Sequence, residues 1–583
     1  MLVSVWVGLL VGFVGLTVQI GMLGFARLRS STPLGLEIGW LNAPLVDAAS
    51  FGAFGVACYL LASRWPRLVP FRAFAFVLSF FGFLSLLFLI PGIAFYSLAL
   101  LSGGAAVQAS RLIHTHQQSL FRVCRVSCAW LAALALASAA GGVGLPWIAD
   151  VRGRAALPTP KPDSPNVLLI VLDTVRAESL SAYGFKEPTS PWLEQLAAKG
   201  VLFEHAFSTS PWTLPAHASL FTGRPPRELT ADWESALDDT YPTLAEMFAA
   251  RGYVTGGFVA NYDYASRRTG LDRGFLSYDD HTAIKNIAGH TYDSRTRTSS
   301  SLGRLGPPTV RRILDNLGHK NAPALNRELL DWLAGGGDRP FFAFLNYYDA
   351  HSPYRSPNSY DAKFRSAGDR RTQDRLDAYE ACIAFLDDQL RELFNQLEQT
   401  GFLRNTLVVI TSDHGEQFGE HGIARHGNSL YRPVLEVPLV IAFPGSIPAG
   451  TRVRDAVSLR DIASTIVDVT GIEPPDNIPG QSLKRHWTRN PAEAVDQAPV
   501  VSEVSAAVRQ PRWLNARGPM VSIVDNGFHY IKTFGRNREE LYDFANDRDE
   551  LRNLVDTPDG AVWLPRFRLR LGAKVDATDA TIP

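Results

Sequence analysis

Two hydrophobic regimes divide this chain. In the first 150 residues the apolar positions form long unbroken runs, at roughly 2–24, 43–63, 73–91, 94–110 and 126–147. A bilayer core needs about 20 residues of apolar helix, so these runs predict five transmembrane helices. From residue 166 the pattern changes to short apolar runs that end in polar residues. NVLLIVLD (166–173), PFFAFLNYYDAH (340–351), NTLVVITSDHG (405–415) and VPLVIAFPG (437–445) each fit a strand buried on both faces of a sheet. Amphipathic stretches separate them. WLEQLAAKG (192–200) and LAEMFAARG (244–252) read as helices ending near glycine, and residues 374–399 carry Ile383, Leu386, Leu390, Leu393 and Leu397 at helical spacing. Alternation of this kind predicts an α/β domain with a mostly parallel sheet flanked by helices.

These patterns set the expected boundaries: an all-α membrane domain of five transmembrane helices over 1–150, a linker over 151–165, an α/β domain over 166–485 and a small α+β subdomain over 486–583. The linker rests on RGRAALPTPKPDSP (152–165), rich in proline and polar residues. The first run lacks a basic start and further spans follow it, which separates it from a cleaved signal peptide.

Charge adds an orientation. Arg64, Arg67 and Arg72 fall in the second loop between spans, and Arg111, Arg122 and Arg125 in the fourth. Arg27 and Arg29 fall in the first, and the third has none. The positive-inside rule puts loops two and four in the cytoplasm, so the polar domain emerges on the outer side of the cell membrane, against the contrary signal of Arg152 and Arg154. No Lys, Asp or Glu lies at the centre of a span, which argues against a pump or channel. Lys+Arg and Asp+Glu balance at 57 each, so net charge gives no sign of nucleic acid as a partner. The expected partners are the lipid bilayer and a lipid or glycan ester substrate. Residues 281–327 break the alternation and carry Arg295, Arg297, Arg304, Arg311, Arg312 and Lys320, a basic stretch that could meet anionic headgroups or simply face water. Of four cysteines only Cys382 lies in the polar half, so no disulfide forms within it.

In parallel sheets ligands bind beyond the carboxyl ends of the strands. Asp173, His351, Asp413 and His414 all fall there, which groups residues up to 241 positions apart. Singly, each has a plainer role, since an Asp after a strand is often a helix N-cap. Together they suggest a metal or catalytic site.

Five segments then carry a family resemblance: DTVRAESLSAYG (173–184), TLPAHASLFTG (213–223), DAHSPY (349–354), SDHGEQFGEHG (412–422), and VSLRDIASTIVDVTG (457–471) followed by GQSL (480–483). In this order they resemble the sulfatase family of the alkaline phosphatase superfamily, over roughly residues 166–480. ELYDFANDRDELRNL (540–554) resembles its small C-terminal subdomain. The resemblance implies an alkaline-phosphatase-like fold, a divalent metal (Mn²⁺, Mg²⁺, Zn²⁺ or Ca²⁺, one ion) shared by Asp173, Thr213, Asp413 and His414, catalysis by Thr213 and His217, and substrate binding by His351 and His426. A metal-activated hydroxyl is an effective nucleophile at neutral pH.

The departures are informative. Sulfatases carry Cys or Ser in a Cys-x-Pro-x-Arg pattern, converted to formylglycine, whose hydrate expels sulfate. Here Thr213-Leu214-Pro215-Ala216-His217 takes that place, and threonine cannot be converted by that route. Thr-x-Pro-x-His is similar to the segment of nucleotide pyrophosphatase/phosphodiesterases. The five-span layout with a threonine nucleophile resembles lipoteichoic acid synthases and phosphoethanolamine transferases. The expected activity is therefore phosphoester hydrolysis or phospho-headgroup transfer at the cell envelope. The alternatives are a sulfuric ester hydrolase without formylglycine and a catalytically silent binding protein. Thr174 stands where the family often has a second acid, and Glu416 and His421 are candidates to support the ligands from behind.

Overall fold

The computed structural model describes residues 1–27, 41, 43–65, 70–87, 89–90, 94–233, 235–280, 320–361, 363–364, 370–473, 478–488 and 498–575. The described chain divides into two compact units that meet in sequence at Ala155–Ala156. The basic stretch read from 281 lies outside the described residues up to 319. Its last member is described and is a correction: Lys320 is buried, with its ammonium 2.6 Å from Asp279 and 2.7 Å from Glu328, so it is an internal ion pair rather than a membrane-facing charge.

The N-terminal unit is all helical: α1 Leu2–Arg27, α2 Ala43–Arg64, α3 Phe71–Leu87, α4 Phe95–Thr115 and α5 Gln117–Ala156. Five helices form where five runs predict them, but they are not equivalent. Among the described residues two are long and apolar enough to cross a membrane, Ala43–Arg64 and the Gln117–Gly141 part of α5, and Leu2–Val18 and Phe71–Leu87 are shorter apolar helices. The five equal spans of the sequence reading are corrected accordingly; α4 carries Ser, Gln, Arg and His among its apolar residues, which dilutes it. Trp6 on α1 donates its indole N–H to Ser127 of α5 at 2.8 Å, which ties the ends of the unit together. Large apolar side chains point outward, among them Leu60, Leu100 and Trp130 at 60–77 % exposure.

The expected linker is also revised. Its first residues, RGRAA (152–156), complete the last turns of α5, where Arg154 pairs with Asp150 at 2.8 Å. Arg and Ala are good helix formers, and the first proline comes only at 158. The remainder is pinned to the second unit. Arg339 donates to the carbonyls of Pro158 (2.7 Å), Gly252 (3.0 Å) and Leu157 (3.4 Å), and Asn405 donates to those of Asp163 and Ser164.

The second unit is built on an eight-stranded sheet: β1 Asn166–Leu172, β2 Val201–Phe207, β3 Val254–Val259, β4 Ser277–Asp279, β5 Phe341–Tyr347, β6 Thr406–Thr411, β7 Glu436–Ala442 and β8 Thr451–Ser458. Their spatial order is β8-β2-β7-β6-β1-β5-β3-β4. All run parallel except β7, which is antiparallel to both neighbours. The four apolar runs of the sequence are β1, β5, β6 and β7, buried on both faces as continuous apolar strands must be. Helices cover the faces: α6 Pro191–Ala197, α7 Thr213–Thr222, α8 Leu244–Ala249, α9 Ala322–Ala334, α10 Arg370–Gln399 and α11 Asp461–Thr470. Two apolar layers result. One centres on Phe203, Phe221 and Phe344, and the other on Leu345, Leu386 and Leu393. The fold is α/β, a mostly parallel sheet flanked by helices, as the sequence pattern predicts.

A four-stranded antiparallel sheet follows: β9 Val500–Val504, β10 Met520–Asp525, β11 Phe528–Thr533 and β12 Arg538–Asp543, packed against α12 Pro558–Val575. Buried polar bonds fasten it to the main sheet. Tyr431 donates to Glu540 at 2.8 Å, and the Arg432 N–H donates to Glu550 at 2.9 Å.

Candidate active site

β1 and β6 are neighbours, and both end in acids at the same edge of the sheet. Asp173 follows β1, and Asp413 and His414 follow β6. Each is almost wholly buried, and one ligand atom from each lies within 4.8 Å of the others. This is the only such cluster of His, Cys, Asp and Glu among the described residues. The turn out of β1 is strained: Thr174, a β-branched residue, sits at φ +64°. Its hydroxyl bonds the Asp173 carbonyl at 2.7 Å, so it does not supply the acid missing at this position.

The polar atoms of this cluster are not all satisfied. Asp173 Oδ2 accepts from Asn261 (2.8 Å) and Asn346 (3.4 Å), and Asp413 Oδ1 accepts the backbone N–H groups of His414 (2.9 Å) and Thr174 (3.3 Å). Asp173 Oδ1 and Asp413 Oδ2 are buried without any hydrogen-bond partner. Burial, with Asp413 beside it, pushes the Asp173 carboxyl up to about 7, and burial also raises Asp413. Two orphaned carboxylate oxygens facing an imidazole would be costly in a finished protein interior, and a divalent cation removes that cost. The donor set therefore fits a metal. His414 donates Nδ1–H to the Gly415 carbonyl at 3.0 Å, which leaves the Nε2 lone pair directed inward. Burial and the adjacent His426 lower its pKa to about 4, so it is neutral and able to ligate.

Thr213 begins α7, after the extended Trp212. Its side chain does not cap the helix. Instead Oγ1 lies 3.3 Å from His414 Nε2 and 3.3 Å from Asn261 Nδ2. The hydroxyl therefore points at the metal-ligand cluster. His217, one turn on, is fully buried beneath it. Its Nδ1–H donates to the Thr213 carbonyl at 2.9 Å, its Nε2 faces Asn346 at 3.4 Å, and its ring packs on Phe344. Burial holds it below the ordinary histidine value. It touches Asp413 at 3.5 Å but presents no open surface to a substrate, so its place is that of a support for Thr213 and Asp413.

His351 and His426 both reach the site. The His426 ring lies 4.5 Å from that of His414 and 5.2 Å from that of His351. They differ in basicity. His351 stacks on Tyr348 at 4.2 Å and donates Nδ1–H to the Ser352 carbonyl; burial lowers its pKa to about 3. His426 is also desolvated, but Glu416 at 3.0 Å outweighs this and raises it. Desolvation opposes ionisation of Glu416, yet His426 and the Tyr354 hydroxyl (2.8 Å) bring its carboxyl down to about 2. His426 is thus the more basic of the pair, and Glu416 supports it. His421 is elsewhere, stacked on Tyr431 at 3.7 Å.

Sequence reasoning missed Asn261 and Asn346. Both are buried at strand ends, and the Asn346 amide oxygen accepts the Asn261 N–H at 3.0 Å. Asn346 lies inside an apolar run that was read for its final histidine; a lone amide in a fully buried strand was the available signal. Asn261 follows β3, a strand the pattern did not isolate.

Residues 165–472 match the sulfatase family, and residues 419–573 match the C-terminal region of N-sulphoglucosamine sulphohydrolase. The chain belongs to the sulfatase family, and it is a hydrolase of that superfamily. Arylsulfatase K of Bos taurus is 27 % identical over 73 % of this chain and 83 % of its own length. An uncharacterized sulfatase of Escherichia coli is 26 % identical over 67 % of this chain and 83 % of its own. In three dimensions the phosphonate monoester hydrolase of Agrobacterium radiobacter superposes with a TM-score of 0.55, covering 71 % of this chain and 95 % of that one at 23 % identity, a likeness of fold.

Proposed function

We propose that this chain is a metal-dependent phosphoester hydrolase that works through a covalent phosphothreonine at Thr213, anchored to the cell membrane by its N-terminal helices with the catalytic unit on the outer side. The carrying observation is the position of the Thr213 hydroxyl, 3.3 Å from both His414 Nε2 and Asn261 Nδ2 and beside two orphaned carboxylate oxygens. Asp173, Asp413, His414 and Thr213 would hold the ion. When bound, it lowers the pKa of the hydroxyl and neutralises charge on a phosphoryl oxygen. Asn261 donates to Oγ1 and orients its lone pairs toward an incoming phosphorus. His426, made more basic by Glu416, is placed to donate Nε2–H to a non-bridging oxygen or to the departing alcohol. Thr213 gives up its hydroxyl proton to water as Oγ bonds to phosphorus, and the P–O bond to the ester oxygen breaks, that oxygen leaving with a proton from His426; in-line attack of water or an acceptor alcohol on phosphorus then breaks the Oγ–P bond, and Oγ takes up a proton to restore Thr213. The outward apolar side chains of the first unit and its two long apolar helices support the anchor.

A second reading, sulfate ester hydrolysis, is favoured by the relatives named arylsulfatases. It lacks an agent for releasing sulfate from threonine. The full-length protein with Mn²⁺ should hydrolyse an aryl phosphodiester, phosphonate ester or phosphomonoester faster than the aryl sulfate. Thr213→Ala should lower kcat by about 1,000-fold or more. Acid-quenched enzyme should carry phosphate on the peptide containing Thr213. A faster sulfate ester, or turnover unaffected by Thr213→Ala, would reject this reading.

A further inference from the structure

The turn that carries Asp173 is held by a residue outside the ligand set. The Val175 N–H donates to the Leu172 carbonyl at 3.1 Å, which closes a four-residue turn with Asp173 second and Thr174 third. A φ of +64° at the third position is ordinarily given to glycine, because a Cβ there crowds the neighbouring backbone. Threonine suits it poorly, since its branched Cβ adds to the crowding. Left to itself, Thr174 would relax toward negative φ and carry Asp173 with it.

Tyr379 opposes this relaxation. It lies on α10, one turn before Ile383, on the apolar face that meets the sheet, and it is fully buried. Its hydroxyl donates to the Thr174 carbonyl at 2.8 Å and accepts the Arg176 N–H at 3.0 Å, so one phenol oxygen grips the backbone on both sides of Val175. The ring is fixed in turn by Phe418 at 4.9 Å and Tyr354 at 5.7 Å. The helical pattern of α10 accounts for an apolar ring at 379, and a phenylalanine would supply that. It does not account for the hydroxyl, whose two partners both belong to the segment leaving β1. The other side of the turn is fastened to the end of β6, where the Thr174 N–H donates to Asp413 Oδ1 at 3.3 Å and the Val175 N–H lies 3.0 Å from Ser412 Oγ.

We propose that Tyr379 is a positioning residue for the metal centre: its hydroxyl keeps Thr174 in the left-handed conformation, and so keeps the Asp173 carboxylate within ligand distance of Asp413 and His414. The inference rests on the reading of those three residues as metal ligands. It is independent of whether phosphorus or sulfur is attacked.

The test is Mn²⁺ binding, read by titration calorimetry on the full-length protein in detergent after its metal has been stripped with EDTA and the chelator removed. Tyr379→Phe keeps the ring and should raise the Kd about tenfold, the effect of losing one buried hydrogen bond that holds a strained turn. Thr174→Gly should bind within about twofold of wild type, since glycine holds this φ without help. Combined with Tyr379→Phe, it should restore the Kd to within about threefold of wild type. Thr174→Ala, which removes the threonine hydroxyl but keeps the strain, should not restore it. A tyrosine that merely fills the core would give a lower melting temperature in Tyr379→Phe with an unchanged Kd, and that result would overturn the inference. So would a loss of affinity that Thr174→Gly fails to rescue. A weakened Kd in Thr174→Gly by itself would overturn it as well, and that readout stands even if Tyr379→Phe does not fold. Failure of the metal reading looks different: the wild type takes up no Mn²⁺, or Asp413→Asn binds it as tightly as wild type, and both readings then fall together.

Discussion

β1 has two ends, and they are finished in opposite ways. At its amino end Asn166 accepts the Phe341 N–H at 3.1 Å and donates to Thr406 at 3.3 Å, bridging both neighbouring strands. Close by, Arg339 spends its guanidinium on three carbonyls. At its carboxyl end, Asp173 and Asp413 each keep one buried oxygen without a partner. The same strand is closed at one end and left open at the other. Buried polar groups are ordinarily paired, so the unpaired end is where the fold gives up stability and where a ligand can restore it.

Asp413→Asn is the strongest way to break this contrast. It should lower kcat by about 1,000-fold or more, because it removes a ligand and the contact beneath Thr213. It should also raise the melting temperature of the chelated protein, since a buried like-charge neighbour of Asp173 is gone. A paired, purely structural Asp413 would give the reverse: modest loss of rate and a lower melting temperature. Calorimetry in EDTA beside steady-state rates separates the two.

This contrast also explains what could be read in advance. Asp173, Asp413 and His414 were legible because parallel strands must end at one edge, and a polar residue after an apolar run marks that edge. Thr213 was legible through its segment, TLPAHASLFTG, and not through any periodicity. The roles of His351 and His426 were not separable, because their difference comes from Glu416 and Ser352, contacts made only in the fold. Asn261 and Asn346 escaped since amides carry no charge pattern. The linker misled because proline content at 158–165 was extended back over RGRAA, which is helical. The equal treatment of five apolar runs failed for a related reason: the helix expected to stop at 110 runs on through Arg111 and His114 to Thr115, and Phe71–Leu87 is a shorter apolar helix.

A smaller effect sharpens the open end. In metal-free protein, burial pushes Asp173 up to about 7, above the unfolded carboxyl near 4. Between these values the folded state holds a proton that the unfolded chain has lost, so the contribution of Asp173 to stability falls as pH rises. The chelated wild type should therefore lose about 2–4 kcal/mol more than Asp173→Asn on going from about pH 4 to 7. Mn²⁺ should abolish the difference by stabilising the ionised carboxylate. Parallel pH profiles for the two proteins in EDTA would contradict an open, unpaired Asp173.

The closed end predicts the smallest change, and one of a different kind. Arg339→Met removes donors to Leu157, Pro158 and Gly252 while keeping much of the side-chain stem. Hydrogen bonds from a charged donor at a partly exposed site give a loss of about 1–2 kcal/mol. That loss should fall on the junction more than on the sheet, because the three carbonyls belong to the segment leaving α5 and to the turn before β3. Limited proteolysis should cut faster between 157 and 163 in the variant, while kcat and KM stay within about twofold of wild type, the site being at the other end of β1. If kcat instead fell with the cleavage resistance, the two ends of the strand would be coupled, and the division of labour along β1 would have to be replaced by a fold in which anchoring the segment after α5 sets the geometry of Asp173.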